Sequence, residues 1–504
     1  MWNKLTLISL LLLFSLVLSA QVNGDLQQIG NQKILQVWGS HYERGYAQGY
    51  LLSPQIMEVF NDLYWTMFCY SSTDFYNQLL TYYQQHFTTP ERMYWEVQGM
   101  AEGMAASGQS LFHPGLGRDL GLDDLLLLNT MHDMIALGAK PASKPGFGCA
   151  SLSSWGVATA ADSILASGSV ITRFLDASPN SALIGNPLMI VHHPSESTEQ
   201  KWLGLSYPGF VNPPTVISEH MLYASMNTGS DHYAPNPTNL SPILWDMRKG
   251  VEMPDFNADG TTDAYDIHAA IASGEHLSGS IIHSLHEAAG AVSSLVTETK
   301  SGTTQYRSYN QNGNLPTHHL AATNHFRLIS GAICCDRYAN LQDSLYANPH
   351  ITAKRQWQVM SGAAGLESTL SAIQFVPSTG YLLWAAASLS QPAYQLPALP
   401  FDLYTLFAYS VANSDEHLPA AAPELSIYPN PWVVGQALNV YAAKALNKLE
   451  IYNLKGQQVL ITHVAARTGE ISFDLQGYPL PTGIYFLKAS FHDSSTLVRR
   501  FVAR

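Results

Sequence analysis

The amino-acid sequence predicts an α+β chain that ends in a small, separate all-β sandwich. Apolar residues at helical spacing dominate residues 31–140, whereas small and β-branched residues in alternating runs dominate the chain after Cys149. Beyond a linker rich in Pro and Ala at 417–424, turn residues separate short alternating strands about every 8–12 residues over 425–504. The 504 residues are enough for about three such units.

The composition excludes several classes of protein. Charged residues make up 12% of the chain and the formal net charge is −13, so nucleic acid is not an expected partner, because phosphate binding requires clustered Lys and Arg. Aromatic residues make up 11%, which argues against disorder. Four cysteines are too few for a disulfide scaffold.

The first 20 residues predict a signal peptide, and therefore an exported protein. Lys4 supplies the positive start, and the apolar stretch from Leu7 to Leu18 is too short to span a membrane. Ser19 and Ala20 are small residues suited to cleavage. An uncleaved anchor is the alternative.

Local patterns then place the main elements of the body. Residues 149–177 predict a β-hairpin, with two alternating runs separated by Ala-Ala-Asp-Ser, and 368–388 predict a second hairpin around Pro-Ser-Thr-Gly. We expect helices at 268–274 and 285–298, where alanine is frequent.

A calcium loop is predicted at 255–266, with the sequence DFNADGTTDAYD. Hard oxygen ligands would occupy loop positions 1, 3, 5, 7 (through the backbone carbonyl), 9 and 12. These positions hold Asp255, Asn257, Asp259, Thr261, Asp263 and Asp266. Gly260 stands where the sharp turn needs positive φ. The segment resembles a single dockerin or EF-hand repeat. A true dockerin has two repeats, which argues against a cohesin partner, and an acidic turn without metal is the alternative.

Cys149 is the candidate nucleophile, because it follows a Gly-rich break and opens a probable strand. If the chain were cut between Gly148 and Cys149, the new α-amino group, with a pKa of about 7.7–8.0, could serve as the base for the thiol. A buried structural cysteine is the alternative. Pairing of Cys69 with Cys334 or Cys335 is left open by the sequence.

The motifs around Cys149 resemble those of cysteine N-terminal-nucleophile hydrolases, in particular the acyl-CoA:6-aminopenicillanic acid (isopenicillin N) acyltransferase-like group. In chain order they are GSHYERGYAQG at 39–49, LLLLNTMHD at 125–133, GCASLSSWGVATA at 148–160, ITRFLDA at 171–177, YPGF at 207–210, SMNTG at 225–229 and TNHF at 323–326. The resemblance covers about residues 35–390 and implies a four-layer αββα core, with a helical segment at 21–148, a body at 149–416 and no cofactor for the reaction.

The resemblance also implies roles for six residues. Cys149 would attack the amide, Asn227 and Asn324 would stabilise the oxyanion, and Asp176 would hold the amino group of Cys149. Arg173 would lower the thiol pKa and brace Asp176. Arg337 would close the site. Turn residues and a plain structural ion pair are the alternatives for these positions. The chain departs from the group at Phe174 and Thr228, which concerns the substrate more than the reaction.

The C-terminal residues 425–504 resemble the sorting domain of type IX secretion substrates. The motifs are IYPNPW at 427–432, LEIYNLKGQQVL at 449–460, LPTGIYFLKA at 480–489 and a basic end with Arg499, Arg500 and Arg504. The resemblance implies export by the type IX machinery and a secreted or surface-attached product. A generic binding sandwich is the alternative.

Together these features predict a secreted, self-processing hydrolase that cleaves an N-acyl amide or small peptide-like amide. Acyl transfer is the alternative within the same fold. A non-catalytic cell-surface binding protein that retains the fold is the alternative from a different class.

Overall fold

The computed structural model separates the chain into two units, residues 1–410 and 411–504. In the first unit it describes residues 22–138, 148–232, 238–300, 302–309, 311, 315–329 and 335–409. In the second it describes 425–428, 432, 437–453, 457–474, 480–481, 483–492 and 495–503. The predicted signal peptide, the linker and most of the break before Cys149 lie outside these ranges. The first unit combines helices with two large sheets, so the α+β prediction is confirmed.

A nine-stranded sheet forms one half of the first unit. Its order is β1-β2-β7-β8-β9-β10-β11-β12-β13, and every neighbouring pair is antiparallel except β2 with β7. Its strands are β1 (Gly24–Ile29), β2 (Gln32–Gly39), β7 (Leu188–Pro194), β8 (Trp202–Ser206), β9 (Thr215–Ser218), β10 (Tyr223–His232), β11 (Ser278–Ala288), β12 (Ala291–Lys300) and β13 (Thr303–Arg307). A separate two-stranded ribbon pairs β3 (Phe112–His113) with β4 (Arg118–Asp119).

A six-stranded antiparallel sheet forms the other half, in the order β14-β5-β6-β15-β16-β17. Its strands are β5 (Gly148–Ser154), β6 (Val170–Asp176), β14 (His319–Ala322), β15 (Thr369–Val376), β16 (Tyr381–Ala386) and β17 (Leu399–Asp402). Alternate side chains of the two sheets share one buried cluster that includes Ile171, Val191, Leu285 and Phe375. The two sheets therefore pack face to face, and both predicted hairpins are confirmed.

The described helices pack on the other faces of the two sheets and around the N-terminal segment. They are α1 (His41–Val59, continued by a π-helical stretch Phe60–Phe68), α2 (Thr73–His86), α3 (Glu91–Ala106), α4 (Leu122–Asn129), α5 (Met131–Gly138), α6 (Ser181–Gly185), α7 (Ile243–Glu252), α8 (Ala264–Ala272), α9 (Asp336–Ala347), α10 (Ala353–Ala364) and α11 (Leu403–Phe407). Apolar side chains of α7 and α8 pack beneath β8–β11. No helix within the described ranges is long and apolar enough to cross a membrane.

The predicted helix at 285–298 is wrong, because these residues form the end of β11, a tight turn and most of β12. Ala289 and Gly290 occupy the turn with φ of 49° and 80°. Two successive positive φ values match the twist of an antiparallel hairpin. Both strands are buried along most of their length, and this burial in the sheet outweighs the helix propensity of the alanines.

The N-terminal segment contains two strands as well as helices, whereas the sequence predicts mostly helix. Its strands β1 and β2 extend the nine-stranded sheet, and β2 pairs with β7 from Lys33↔Leu188 to Gly39↔Pro194. The segment before Gly148 is thus hydrogen-bonded into the same sheet as the chain that follows. A cut before Cys149 would leave this ladder intact.

The C-terminal unit is all-β and antiparallel, with β18 (Leu425–Tyr428), β19 (Ala437–Asn453), β20 (Gln458–Asp474), β21 (Gly483–Phe491) and β22 (Thr496–Ala503). The sequence suggests shorter strands here. Register shifts between Ala442 and Lys448 bend β19, so that its first half pairs with β18 and its second half with β21. A bulge of this kind lets one long strand serve two parts of a curved sheet.

Candidate active site

The hairpin of β5 and β6 brings Cys149 next to a buried guanidinium. Cys149 is cross-strand neighbour to Leu175, and Arg173 lies one diagonal position away on β6. Arg173 Nη2 lies 3.3 Å from Cys149 Sγ and also donates to the carbonyl of Met226 at 3.0 Å. Both Cys149 and Arg173 are only 3% exposed. The sulfur is therefore held beside a positive charge in a site with little water.

Two asparagines from distant parts of the chain, Asn227 on β10 and Asn324 in the loop after β14, brace each other at the same place. Asn324 Oδ1 accepts a hydrogen bond from the Cys149 backbone nitrogen at 3.0 Å, and its Nδ2 donates to Thr228 O at 2.8 Å. Asn227 Nδ2 donates in return to Thr323 O at 3.4 Å. Each amide group has a second N–H. These remaining N–H groups are the candidate donors for an oxyanion.

Asp176 and Arg337 form an ion pair on the other side of Cys149. Arg337 Nη1 donates to Asp176 Oδ2 at 2.7 Å, and Thr369 Oγ1 donates to Asp176 Oδ1 at 2.6 Å. Arg337 also donates to Asn324 Oδ1. The cation that contacts Asp176 is therefore Arg337. The sequence instead predicts Arg173 for this contact. Arg173 is directed to the sulfur, because its strand position faces Cys149.

Gly148 lies inside this set of side chains. A Cβ built on Gly148 would stand 3.3 Å from Asp176 Oδ2 and 3.5 Å from both Arg337 Nη2 and Asn324 Oδ1. The peptide bond before Cys149 is therefore surrounded by the carboxylate, guanidinium and amide groups of the site. A side chain at position 148 would crowd the carboxylate.

The protonation states reflect the burial of the site. Burial raises the pKa of the Cys149 thiol, although Arg173 acts in the opposite direction. Arg173 thus lowers the pKa of the thiol in the expected direction, but desolvation by burial is the larger effect, so the pKa is raised overall. Burial also raises the pKa of Asp176, against the opposing effect of its hydrogen bond from Thr369 and its pairing with Arg337.

An apolar pocket adjoins the nucleophile strand. Its lining includes Leu175, the cross-strand neighbour of Cys149, together with Ala177 and Leu370 from the sheet. Leu63 and Met131 of the N-terminal segment also line it, and the enclosed cavity measures about 20 Å³. The pocket is narrow and mostly apolar, with His132, Ser206 and Tyr207 as the polar residues of its lining.

The acidic loop at 255–266 folds as one compact turn before α8. Gly260 has a φ of +91°, and its N–H donates to both carboxylate oxygens of Asp255 at 3.1 Å. Asp266 accepts from the backbone nitrogens of Asn257 at 3.0 Å and Asp263 at 2.7 Å. Burial raises the pKa of Asp263 and of Asp266. This donor set consists of hard oxygens that suit Ca²⁺.

Of the other described cysteines, Cys335 donates from Sγ to Thr323 Oγ1 at 3.6 Å, next to Asn324, and Cys69 is buried in the core. Cys69, Cys149 and Cys335 are free thiols, and Cys334 lies outside the described residues. Burial raises the pKa of Cys69 to about 12, so it stays protonated.

A buried ionic cluster is a feature that sequence reasoning missed. His41 contacts Glu96 through Nδ1 at 2.8 Å and Glu199 through Nε2 at 2.9 Å. Arg44 Nη2 donates to Glu199 at 3.0 Å, and Arg248 Nη2 donates to Glu96 at 2.7 Å. The cluster joins the segment before Gly148 to the body after it. The motif at 39–49 holds two of its members, but spacing alone gives no sign of their partners.

Comparison with known proteins supports the terminal domain and leaves the body open. Residues 426–504 match the family described as the secretion system C-terminal sorting domain. The chain therefore ends in a sorting domain, as predicted. No curated protein matches the sequence.

Solved structures give weak similarities. An N-acylethanolamine-hydrolysing acid amidase ortholog of Caenorhabditis elegans is 14% identical, with a TM-score of 0.35 over 50% of this chain and 100% of that one. The conjugated bile acid hydrolase of Clostridium perfringens is 8% identical, with a TM-score of 0.30 over 50% of this chain and 93% of that one. PorZ of Porphyromonas gingivalis is 12% identical, with a TM-score of 0.15 over 66% and 42%. At such TM-scores the similarity decides neither fold nor activity.

Proposed function

We propose that this chain is an exported cysteine amidohydrolase of the N-terminal-nucleophile type, with a four-layer αββα core. The observation that carries the proposal is the setting of Cys149. Its sulfur lies 3.3 Å from the buried guanidinium of Arg173, and its backbone nitrogen lies 3.0 Å from the amide oxygen of Asn324. Donors and charges thus surround both atoms that a self-processing cysteine must use.

The first step is cleavage of the chain before Cys149. The thiol attacks the carbonyl carbon of Gly148, the new S–C bond replaces the C–N bond, and the Cys149 nitrogen takes up a proton to become an amine. Water then cleaves the thioester, which releases the Gly148 carboxylate and restores the thiol. Asp176 and Arg337, both close to Gly148, fix the peptide for this attack.

Turnover of an external amide then uses the same groups. The free amine of Cys149 takes the thiol proton, Arg173 stabilises the thiolate, and the sulfur attacks the substrate carbonyl. The N–H groups of Asn227 and Asn324 that are not bound to Thr323 and Thr228 stabilise the oxyanion. The departing amine carries the proton away, and water hydrolyses the acyl-enzyme. Transfer to another amine would use the same intermediate.

The substrate carries an apolar acyl group. The pocket lined by Leu175, the cross-strand neighbour of Cys149, is mostly apolar, with Leu63, Met131 and Leu370 in its lining and no charged carboxylate, Lys or Arg among its lining residues. Because the enclosed space is only about 20 Å³, an acyl chain must displace lining side chains to enter.

The sorting domain gives the destination. Residues 426–504 match a secretion system C-terminal sorting domain. We infer export by the type IX machinery, which would be the partner of this unit. The enzyme would then act in the medium or on the cell surface.

A direct test is turnover of p-nitroanilides with acetyl, hexanoyl and decanoyl groups. Wild-type protein should release p-nitroaniline, with the longer apolar chains preferred, and Cys149→Ala should release none. Intact mass spectrometry should detect the acyl adduct on the fragment that begins at Cys149. Full-length wild-type chain without turnover or adduct would refute the enzyme and favour a binding protein.

We also propose that the loop at 255–266 binds Ca²⁺. Its donors would be the side chains of Asp255, Asn257, Asp259, Asp263 and Asp266 and the carbonyl of Thr261, and the ion would fix the loop against α8. Asp255→Ala removes the first donor and should abolish calcium binding measured by calorimetry. Asp162→Ala, an acidic loop residue elsewhere, is the matched control. Equal binding by wild type and Asp255→Ala would refute the proposal.

A further inference from the structure

Glu298 places a buried carboxylate beneath the loop that carries Asn324. Glu298 is fully buried on β12. Its Oε1 and Oε2 accept from Arg327 N at 2.9 and 3.0 Å, and Oε2 also accepts from Leu328 N at 2.8 Å and Ile329 N at 3.3 Å. Three successive backbone N–H groups form a concave anion site. Here the anion is a side chain of the neighbouring sheet.

The charge of Glu298 is matched by a guanidinium that holds the strand before the loop. Arg307 Nε lies 3.4 Å from Glu298 Oε1, and Arg307 is itself buried. Its Nη2 donates to the carbonyl of Ala321 on β14. Removing either charge from such a buried pair leaves the other without compensation, so the pair acts as one unit. This ion pair is hydrogen-bonded both to β14 and to the loop that follows it.

Asn324 lies between these two points of attachment. It comes two residues after Ala322, the last residue of β14, which is paired with Ser151 of the nucleophile strand. Three residues later, Arg327 begins the run of N–H groups bound to Glu298. The position of Asn324 relative to Cys149 is therefore set by the ladder on one side and by the carboxylate on the other.

The same loop reaches Arg337 by a second contact. The guanidinium of Arg327 lies over the ring of Tyr338 at 3.6 Å. Tyr338 follows Arg337 in the first turn of α9, and Arg337 contacts Asp176 and Asn324. Fixing Arg327 thus restricts both polar groups that border the Gly148–Cys149 bond.

We propose that Glu298 is a positioning residue for the reaction at Cys149. Its carboxylate holds the loop 324–329 so that Asn324 and Arg337 keep their places beside the nucleophile. The assignment rests on the proposed amidohydrolase function. Glu298 touches no reacting atom and acts only through the loop.

Glu298→Gln is the direct test, because glutamine keeps the shape and removes the charge. One of its terminal atoms becomes an NH₂ group that faces backbone N–H donors and cannot accept from them. The matched control is Glu287→Gln on the adjacent strand β11. Glu287 also accepts from a backbone nitrogen, that of Ser169 at 2.7 Å, but at the opposite end of β6 from Asp176.

Three measurements on the full chain separate positioning from stability. We expect kcat for the decanoyl anilide to fall about 10- to 100-fold in Glu298→Gln, since a displacement of about 1 Å has effects of this size. The KM and the rate of Cys149 alkylation by iodoacetamide should each change by less than about threefold, because neither depends strongly on an oxyanion donor. Amide hydrogen exchange should quicken in peptides that cover 323–329. Glu287→Gln should leave all of these unchanged.

Unchanged kcat in folded Glu298→Gln, or an equal loss in Glu287→Gln, would overturn the assignment. If Glu298→Gln does not fold, Tyr338→Leu removes the aromatic contact without burying a lone charge. It should lower kcat at least threefold at constant alkylation rate, and an unchanged kcat would again overturn the assignment. A wild-type chain that is alkylated but turns over no amide overturns the proposed function, and the role of Glu298 with it.

Discussion

Replacing Arg173 with methionine should separate the reactivity of Cys149 from the stability of the fold. Arg173 is 3% exposed, and within the described part of the chain no carboxylate lies within 4 Å of its guanidinium. Its Nε finds no hydrogen-bond partner among the described residues. Burying a cation without an anion is costly. The buried charge of Arg173 therefore stabilises the thiolate of Cys149 and not the fold.

The size of the effect follows from the 3.3 Å between Arg173 Nη2 and Cys149 Sγ. At an effective dielectric of about 20, a unit charge pair at that distance attracts by about 5 kcal/mol. Solvent and relaxation recover part of this energy in the variant. Even a residual of about 1.4 kcal/mol lowers the thiolate population tenfold. The alkylation rate at fixed pH should thus fall at least tenfold.

The free energy of unfolding of Arg173→Met should not fall with the reactivity of Cys149. Methionine fills a similar volume and removes the desolvation cost, while the carbonyl of Met226 loses one hydrogen bond worth about 1 kcal/mol. We expect the free energy of unfolding of Arg173→Met, measured in urea, to remain within about 1 kcal/mol of wild type or to rise.

The assay combines iodoacetamide alkylation at pH 7 with urea unfolding. Arg355→Met is the matched control, since Arg355 Nη2 also donates to a backbone carbonyl, that of Ser344 at 3.3 Å, away from the thiol. An unchanged alkylation rate in Arg173→Met, or a large loss of stability without a loss of reactivity, would refute the reasoning.

Three further predictions test other parts of the site and the core. Asn324→Ala should lower kcat for the anilides by about 100- to 1000-fold in steady-state kinetics, while iodoacetamide still reacts. Ala177→Val should narrow the apolar pocket, so that kcat/KM falls at least tenfold for decanoyl but little for acetyl anilide. Burial alone would lower the pKa of His41, but the hydrogen bonds that His41 donates to Glu199 and Glu96 outweigh it and raise the pKa. Because the folded state holds this proton more tightly, unfolding free energy should fall from pH 6 to pH 9, and His41→Gln should flatten that slope in urea titrations; equal slopes would contradict the assignment.

The sequence predicts those parts of the site that local pattern controls. Cys149, Arg173 and Asp176 lie on two strands whose alternation is visible, and their hairpin follows from it. Only the family resemblance indicates Asn227 and Asn324 as site residues, because nothing in their local sequence shows that a strand residue and a loop residue nearly 100 positions apart brace each other.

The missed features have a common physical cause. Glu298 lies in a stretch whose alanines favour a helix, and its partners Arg307 and Arg327 come from two later segments. The partners of His41 and Arg44 lie between 55 and 208 residues away. Buried charge depends on tertiary partners, which neither periodicity nor composition reveals.

The identity of the first residue of the largest mature fragment tests the central claim most directly. N-terminal sequencing and intact mass of purified wild-type protein should give a fragment that begins at Cys149. Cys149→Ala, expressed in the same way, should lack that fragment. A wild-type chain that remains continuous through Gly148 and Cys149 would contradict the self-processing nucleophile on which the account depends.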